Sequence, residues 1–557
     1  MHLLDSARTR LTCIPVVHEV AAGIATEYFN QVSEDGRAFS LVTAGPGLTN
    51  IVTAVSGAWL ENRDLLVIGG QVKSADLMSA GMRQRGIQEI DGVSIVSLIT
   101  KHAIRVERPI DEASFKSAVF DGYQPRMGPV FIEVCLDAQG APPIKVSAPT
   151  STKVVERSSP NPVLVEQIRG LLAKSERPAW LLGAGVARST AWQQRNRLEQ
   201  LGFPLLTTWH AADRLSSDAP NYFGRPETWG QRLGNLIVNQ ADVLIVFGAR
   251  LGFQETGFNW QAYAKNAHVV QIEIDETELF KGHPKIDTPV LANANGFLDV
   301  LLEGELPARP DWLKYCEQLR SLLPLNEPWN ETRSGYVSPY EFYADASAVS
   351  GDADIWVPAS SGGANSVAIQ ALNQKGRQKV VCDNGLASMG YGLSGAIGAS
   401  FASPSSRVWL VEGDGGFTQN LQELATVAVS NLNIKIFIFS NEGYGSIRTT
   451  QKNYFNGEYL GCDINTGLGF PNWEKLANAY GISYQCFGDD GFNDPELKKQ
   501  LEGDGPVLVE VPIDPLQTYW PKITSRVTES GSMESNPLYL MSPDLPEETW
   551  NKVSRYL

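Results

Sequence analysis

Residues 407–445 read RVWLVEGDGGFTQNLQELATVAVSNLNIKIFIFSNEGYG. The run RVWLV has the length and composition of a buried strand, Phe417 to Ser430 follows a helical pattern, and IKIFIFS is a second strand. Together they make a βαβ unit, whose right-handed crossover returns both strand ends to one edge of the sheet. Asp414 follows the first strand and Asn441 the second, so both fall at the carboxyl edge, where open α/β sheets bind ligands. Asp414 cannot help to bury the run before it, and Gly413, Gly415 and Gly416 cost chain entropy without packing in return. A carboxylate and an amide oxygen are hard ligands suited to Mg²⁺, which completes its shell with phosphate oxygens and water. The glycine-flanked helix start offers free N–H groups to the same anion. Taken singly, Asp414 also reads as a helix N-cap and Asn441 as a turn residue.

The 557 residues exceed one core and suggest about three or four domains. Hydrophobic residues make up 43%, charged residues 19%, and glycine is frequent, the profile of a globular α/β enzyme. A net charge of -16 argues against a nucleic-acid polymer as partner, since phosphate binding needs basic stripes. The six cysteines show no C-x-x-C spacing and mostly sit in apolar runs, which reads as buried reduced thiols. No apolar run reaches the roughly 18–20 residues of a membrane span, and no signal peptide is evident. The expected location is therefore cytoplasmic, away from the membrane.

Two polar, Pro-rich stretches divide the α/β pattern into three blocks. SAPTSTKVVERSSPNP (147–162) reads as a linker, and RPDWLKYCEQLRSLLPLNEPWNETRSG (309–335) as a short helix followed by a loop. The expected domains are 1–146, 160–308 and 336–557. The outer blocks share a tail, GPVFIEVCLDAQ (128–139) against GPVLVEVPIDPLQ (505–517), and a Gly-x-Gly turn leading through a helix to a strand. This points to an internal duplication, with two similar folds able to face one another. The middle block carries PAWLLGAGVARS (178–189) and ADVLIVFGARLG (241–252), strand–glycine turns of nucleotide-binding type that do not complete G-x-G-x-x-G. A cofactor site and a purely structural Rossmann-like domain both remain open.

GDGGFTQNLQELATVAVSNLNIKIFIFSNEGYG resembles the thiamine-diphosphate (ThDP) motif, which opens with Gly-Asp-Gly and closes with an Asn pair, here Ser440-Asn441. The likeness extends along the chain to the acetolactate-synthase (acetohydroxyacid-synthase) branch of these enzymes. It is carried by HEVAAGIA (18–25), AGPGLTN (44–50), IQEIDGVSIVSLITKH (87–102) and DNGLASMGYGLSGAIGA (383–399). The resemblance implies an α/β fold of three parallel-sheet domains flanked by helices: pyrimidine-binding, central Rossmann-like and diphosphate-binding. It implies Mg²⁺ held by Asp414, Asn441 and the Gly443 carbonyl, bridging to the diphosphate of ThDP. Gly413, Gly415, Gly416 and Gly445, with Ser361 and Gly362 of SSGGANS (360–366), would line the cofactor. Glu19 would bond the aminopyrimidine ring and promote removal of the thiazolium proton. Glu19 would reach a cofactor held by a partner chain, so a homodimer or tetramer with active sites between chains is expected. Met389 would prop the cofactor into its bent shape, Gln88 would lie near the thiazolium, and Lys101 would steer a substrate carboxylate. The middle domain of such enzymes binds FAD without using its redox chemistry. Arg250 in GARLGFQETG (248–257), and Asp275 at a strand end, are the expected contacts.

The chain departs from that pattern in three places. MHLLDS aligns with a segment that relatives reach only after an opening strand and helix, so either the start is assigned late or the domain lacks its first βα unit. Thr450 stands where acetohydroxyacid synthases carry a tryptophan that selects the acceptor, and Ile87 replaces a phenylalanine. Losing both aromatic walls points to a larger or more polar acceptor, such as the keto-deoxysugar nucleotide of yersiniose-type branched-sugar synthesis. The six histidines include no His-His pair, which disfavours simple aldehyde release. The expected function is a carboligase that decarboxylates a 2-keto acid, pyruvate, and passes the two-carbon unit to a carbonyl acceptor: a second 2-keto acid or a sugar nucleotide. The alternatives are a FAD-dependent oxidoreductase of pyruvate-oxidase type, a 2-keto acid decarboxylase, and a non-catalytic binding relative.

Overall fold

A computed structural model describes residues 2–142, 144, 160–360 and 362–557. The first sheet comprises β1 (Ser40–Val42), β2 (Leu65–Gln71), β3 (His102–Val106) and β4 (Pro129–Cys135), ordered β1-β2-β4-β3 with every pair parallel. Helices α1 (Glu19–Val32) and α2 (Val52–Leu60) accompany it. The second sheet has β5 (Pro178–Leu182), β6 (Leu205–Thr207), β7 (Val243–Phe247), β8 (His268–Glu273) and β9 (Thr288–Leu291). Its order, β6-β5-β7-β8-β9, is all parallel and doubly wound, with the direction of winding reversing at β5 and β7. Helices α3 (Pro162–Lys174), α4 (Glu276–Leu279) and α5 (Pro310–Leu322) belong with it. The last strands are β10 (Ile355–Pro358), β11 (Val408–Gly413), β12 (Ile434–Ser440), β13 (Ser483–Cys486) and β14 (Val507–Pro512). They run β10-β11-β12-β14-β13, with helices α6 (Tyr391–Ala402), α7 (Asp414–Phe417), α8 (Leu424–Val429) and α9 (Gly445–Tyr454) between or beside them.

The strand order β1-β2-β4-β3 is repeated by β11-β12-β14-β13, and the two shared tails are β4 and β14. Each run also has its Gly-x-Gly turn after the first strand, at 45–47 and 413–415, which agrees with the duplication read from the sequence.

Packing groups the chain into two compact units. The first holds residues 1–156, 355–360 and 381–511; the second holds 157–354, 361–380 and 512–557. Residues 361–380 and the tail from 512 therefore go with the central sheet rather than with the diphosphate-binding block. The reason is apolar burial: Leu538 and Val553 are fully enclosed in the core built by β5–β8, α3 and α5. Arg225 adds hydrogen bonds to the carbonyls of Ile369 and Leu372, and Gln370 to those of Trp229 and Pro521. The expected helix at 309–335 is α5, followed by irregular chain. The expected linker at 147–162 lies mostly outside the described residues, and Asn161 caps α3 at its end.

In the first unit α1 and α6 pack closely, and small residues make this possible. A Cβ on Gly398 would lie 2.0 Å from the Ala25 carbonyl oxygen, and one on Gly395 would lie 2.6 Å from the Tyr28 ring. Gly395 and Gly398 of GLSGAIG thus face α1, Gly395 against a side chain and Gly398 against the backbone. The single helix expected over Phe417–Ser430 is instead interrupted. Between α7 and α8 lies a 3₁₀ turn, Leu421–Glu423, because Asn420 leaves the helical region (φ -135°) to donate its side-chain amide to the Gly390 carbonyl.

Candidate active site

Strands β11 and β12 pair in parallel from Val408↔Ile434 to Gly413↔Phe439, so their ends lie side by side. Asp414, the first residue of α7, is 2% exposed. Its Oδ1 accepts the Gly415 N–H at 2.7 Å, and Oδ2 accepts those of Asn441 and Gly443 at 3.1 Å each. Burial pushes this carboxyl up to about 7, against the pull of those amides and of Arg448. Arg448 in turn donates to the Asn441 carbonyl at 2.9 Å.

The end of the Asn441 amide lies 2.6 Å from the Gly443 carbonyl oxygen and 3.3 Å from Asp414 Oδ1, where its N–H donates to both. With the amide oxygen turned inward instead, the same three groups would suit a small cation. Adjacent ligands of an octahedron with Mg²⁺–oxygen bonds of about 2.1 Å stand about 3 Å apart, and the two separations bracket that value. The residues present thus fit a hard divalent cation with one carboxylate, one amide and one backbone ligand. Among the described residues no cluster of three His, Cys, Asp or Glu side chains supplies an alternative centre.

Contacts explain three of the four glycines here. A Cβ at Gly415 would fall 2.3 Å from the Tyr444 ring, at Gly416 1.8 Å from Ser360 Oγ, and at Gly445 2.7 Å from the Asn441 amide nitrogen. Gly413 meets nothing within 4 Å, so protein packing does not account for it. Gly443 (φ +150°) runs against the Cys462 carbonyl, which leaves its own oxygen directed at Asn441. Of the small-residue loop, Ser361 lies outside the described residues and Gly362 belongs to the second unit, with φ +63°. Ser360, which the sequence pattern did not single out, donates to Glu412 Oε1 at 3.0 Å.

Glu19 opens α1, half-buried, and its Oε2 accepts the Asn50 side-chain amide at 3.1 Å. The helix is held at its start by Glu423, whose carboxylate oxygens accept the N–H groups of Val17 (3.2 Å) and His18 (2.9 Å). Asn50 and Glu423 both lie inside the quoted motifs, yet nothing in a linear reading shows which backbone or carboxylate they reach. Met389 is 37% exposed on the turn before α6, a large apolar side chain that the core does not absorb. Gln88 is exposed on a turn with φ +57°, its backbone closing on Gly45 of the AGPG turn. Glu89 fixes that loop by accepting the N–H groups of Met78, Arg85 and Gly86. Lys101 gives its ammonium to the Arg126 carbonyl at 3.0 Å. Thr450 is exposed on α9, bonded to the Ser446 carbonyl at 3.0 Å, and Ile87 is 89% exposed.

On the second unit, the two glycine turns after β5 and β7 pack on each other. Gly183 donates to the Phe247 carbonyl and Gly185 to that of Gly248, while the N–H groups of Val186 and Ala187 go to Gly183 and Asn295. Those four amides are spent within the protein and cannot cradle a pyrophosphate. Asp275 lies beyond the end of β8 and caps α4, accepting the Thr277 N–H at 2.8 Å. Arg250 follows β7, its carbonyl accepting Lys281.

Comparison with known proteins agrees with the motif reading. Residues 1–95 match the thiamine pyrophosphate enzyme N-terminal TPP binding domain, 165–301 the central domain and 360–511 the C-terminal TPP binding domain. The chain is 29% identical over 541 residues to acetolactate synthase isozyme 2 large subunit of Escherichia coli, covering 96% of this chain and 93% of that one. It is 28% identical over 519 residues to a probable acetolactate synthase large subunit of Methanocaldococcus jannaschii (90% and 85% covered). It is 27% identical over 549 residues to the large subunit of Corynebacterium glutamicum (96% and 84%). With all three segments matched in order along the sequence, the chain belongs to the thiamine pyrophosphate enzymes and is similar nearly end to end to acetolactate synthase large subunits.

Proposed function

We propose that the protein is a ThDP- and Mg²⁺-dependent carboligase that decarboxylates pyruvate and transfers the two-carbon unit to a carbonyl acceptor. The observation that carries this reading is the buried Asp414 carboxylate with the Asn441 side chain and the Gly443 carbonyl beside it at the joined ends of β11 and β12. These residues would hold the cation, and through it the diphosphate. When bound, ThDP supplies a carbon nucleophile and an electron sink for decarboxylation. Glu19, fixed by Asn50 and by the Glu423 cap, holds a proton at its Oε atoms for exchange with a ring nitrogen. Met389 presents an apolar edge that favours a bent cofactor, and the Gln88 loop orients the keto acid. We place the active site between two chains of a homodimer, with Glu19 serving the partner's cofactor.

The acceptor we favour is a keto-deoxysugar nucleotide rather than a second keto acid. Thr450 and Ile87 support this, since both are exposed and neither builds an aromatic wall. FAD, held by the central sheet through Arg250 and Asp275 without redox use, belongs to this reading, and flavin absorption in purified protein checks it. Among the described residues no helix is long and apolar enough to cross a membrane. The test is incubation with pyruvate and a panel of acceptors, with mass spectrometry of products. A two-carbon adduct of a keto-sugar nucleotide supports the reading; acetolactate alone overturns the choice of acceptor, and no ThDP-dependent product overturns the carboligase itself.

A further inference from the structure

A buried group of charges lies away from the metal ligands. Arg63, on the turn after α2, is 7% exposed, and its guanidinium forks between two distant segments. One arm donates to Glu27 Oε1 at 2.7 Å on α1, and the other to the Cys382 carbonyl at 2.6 Å. Two residues earlier, Glu61 Oε1 accepts the N–H groups of Asn384 (2.8 Å) and Gly385 (2.6 Å). Asp383 lies between these anchors, and Tyr28 lies under the guanidinium, 5.5 Å from ring centroid to carbon.

Three carboxyls meet one guanidinium here, an arrangement that a stability argument alone does not favour. A buried ion pair gains little over well-packed apolar side chains, because desolvation cancels most of its attraction. Burial pushes Glu27 up to about 8 against the pull of Arg63. Burial, then the neighbouring Glu61, pushes Asp383 up to about 6. Glu27 Oε2 and Asp383 Oδ2 are buried without a hydrogen-bond partner. What the group does achieve is geometric. It ties the chain at 382–385 to α1, the helix that begins at Glu19. Four residues beyond Gly385 comes Met389, and Gly390 (φ +88°) then turns into α6.

We propose that Arg63 is a positioning residue for the cofactor, joining Glu27 to the Cys382 carbonyl so that the Met389 turn is held in place against α1. The inference rests on the role given above to Met389. Arginine is required because its planar fork spans both acceptors, whereas a lysine ammonium is a single point of charge.

The test compares wild type with Arg63→Lys and with the double variant Arg63→Met/Glu27→Leu, which replaces the pair by apolar side chains of similar bulk. Two quantities are read: the melting temperature of the apoprotein, and the dissociation constant of ThDP with Mg²⁺ from tryptophan fluorescence. The expected result is that the double variant melts close to wild type yet binds ThDP at least tenfold more weakly. Arg63→Lys is expected to weaken ThDP as well, which keeps the test decisive should the double variant fail to fold. Wild-type ThDP affinity in Arg63→Lys, or in a folded double variant, overturns the proposal. A wild type that binds no ThDP overturns the carboligase reading instead, so the two failures are distinguishable.

Discussion

Gly398→Ala should separate the two helices that bring the active-site segments together. The added carbon would lie 2.0 Å from the Ala25 carbonyl oxygen and 2.7–2.8 Å from the carbon atoms of the same backbone, where ordinary contact starts near 3.4 Å. The obstacle is backbone, so no side-chain rotation relieves it, and α1 and α6 must part by more than an ångström. Helix propensity favours the alanine by about 1 kcal/mol, but overpacking a tight contact costs about 1–3 kcal/mol and more where backbone must move. A net loss of about 1–2 kcal/mol is expected, lowering the melting temperature by several degrees at about 2–4 °C per kcal/mol. ThDP affinity should fall too, because α1 begins at Glu19 and α6 follows Met389. Gly170→Ala is the control. Gly170 is also inside a helix, α3, but a Cβ there meets nothing within 4 Å, so the same change should stabilise by up to about 1 kcal/mol. Thermal melts and ThDP titrations of both variants are the assay. If Gly398→Ala melts at or above wild type, or if the two glycines respond alike, the close helix contact is not what these residues provide.

Two further outcomes follow from the site itself. The Asp414 carboxyl, raised by burial from 3.8 to about 7, binds its proton more tightly folded than unfolded. Its contribution to the metal-free protein is therefore fully present below about pH 4 and is lost as pH rises through 7. A cation must displace that proton, so Mg²⁺ should raise the melting temperature more at pH 8 than at pH 6; equal shifts would exclude Asp414 as a ligand. Glu19→Gln should keep ThDP binding, since the amide still fits beside Asn50, but lower kcat by about 10²–10⁴-fold. Unchanged turnover would remove Glu19 from the proton-transfer step.

Local pattern reached far into this fold because strand runs such as IKIFIFS are apolar on both faces and so announce parallel sheet. The boundaries of IKIFIFS, 434–440, are those of β12. The break within 417–430 was not legible, since it depends on Asn420 meeting the Gly390 carbonyl, thirty residues away in sequence. The membership of the tail was hidden for the same reason: nothing in the sequence near Leu538 or Val553 says that the hydrophobic surface they close belongs to β5–β8. In the central block the glycines were ambiguous, and the geometry resolves them toward packing, because Gly183 and Gly185 lie against Gly248 at backbone distance. Arg63 was invisible as well. An arginine in ENRD reads as a solvated turn, and only the fold brings it between Glu27 and Cys382.

Asp414 carries two readings that the sequence sets against each other, helix cap and metal ligand. It is not the N-cap, a place that Gly413 takes, yet its carboxylate accepts the backbone amides of Gly415, Asn441 and Gly443. Those bonds do not use up the carboxylate; they aim it. With the Asn441 and Gly443 amides holding Oδ2, the end of the Asn441 side chain is left beside Oδ1 and the Gly443 carbonyl. That amide can give its N–H to both oxygens, or turn its own oxygen toward a bound cation, so one side chain suits the site with and without metal. Asp414→Asn would remove the carboxylate that both arrangements need.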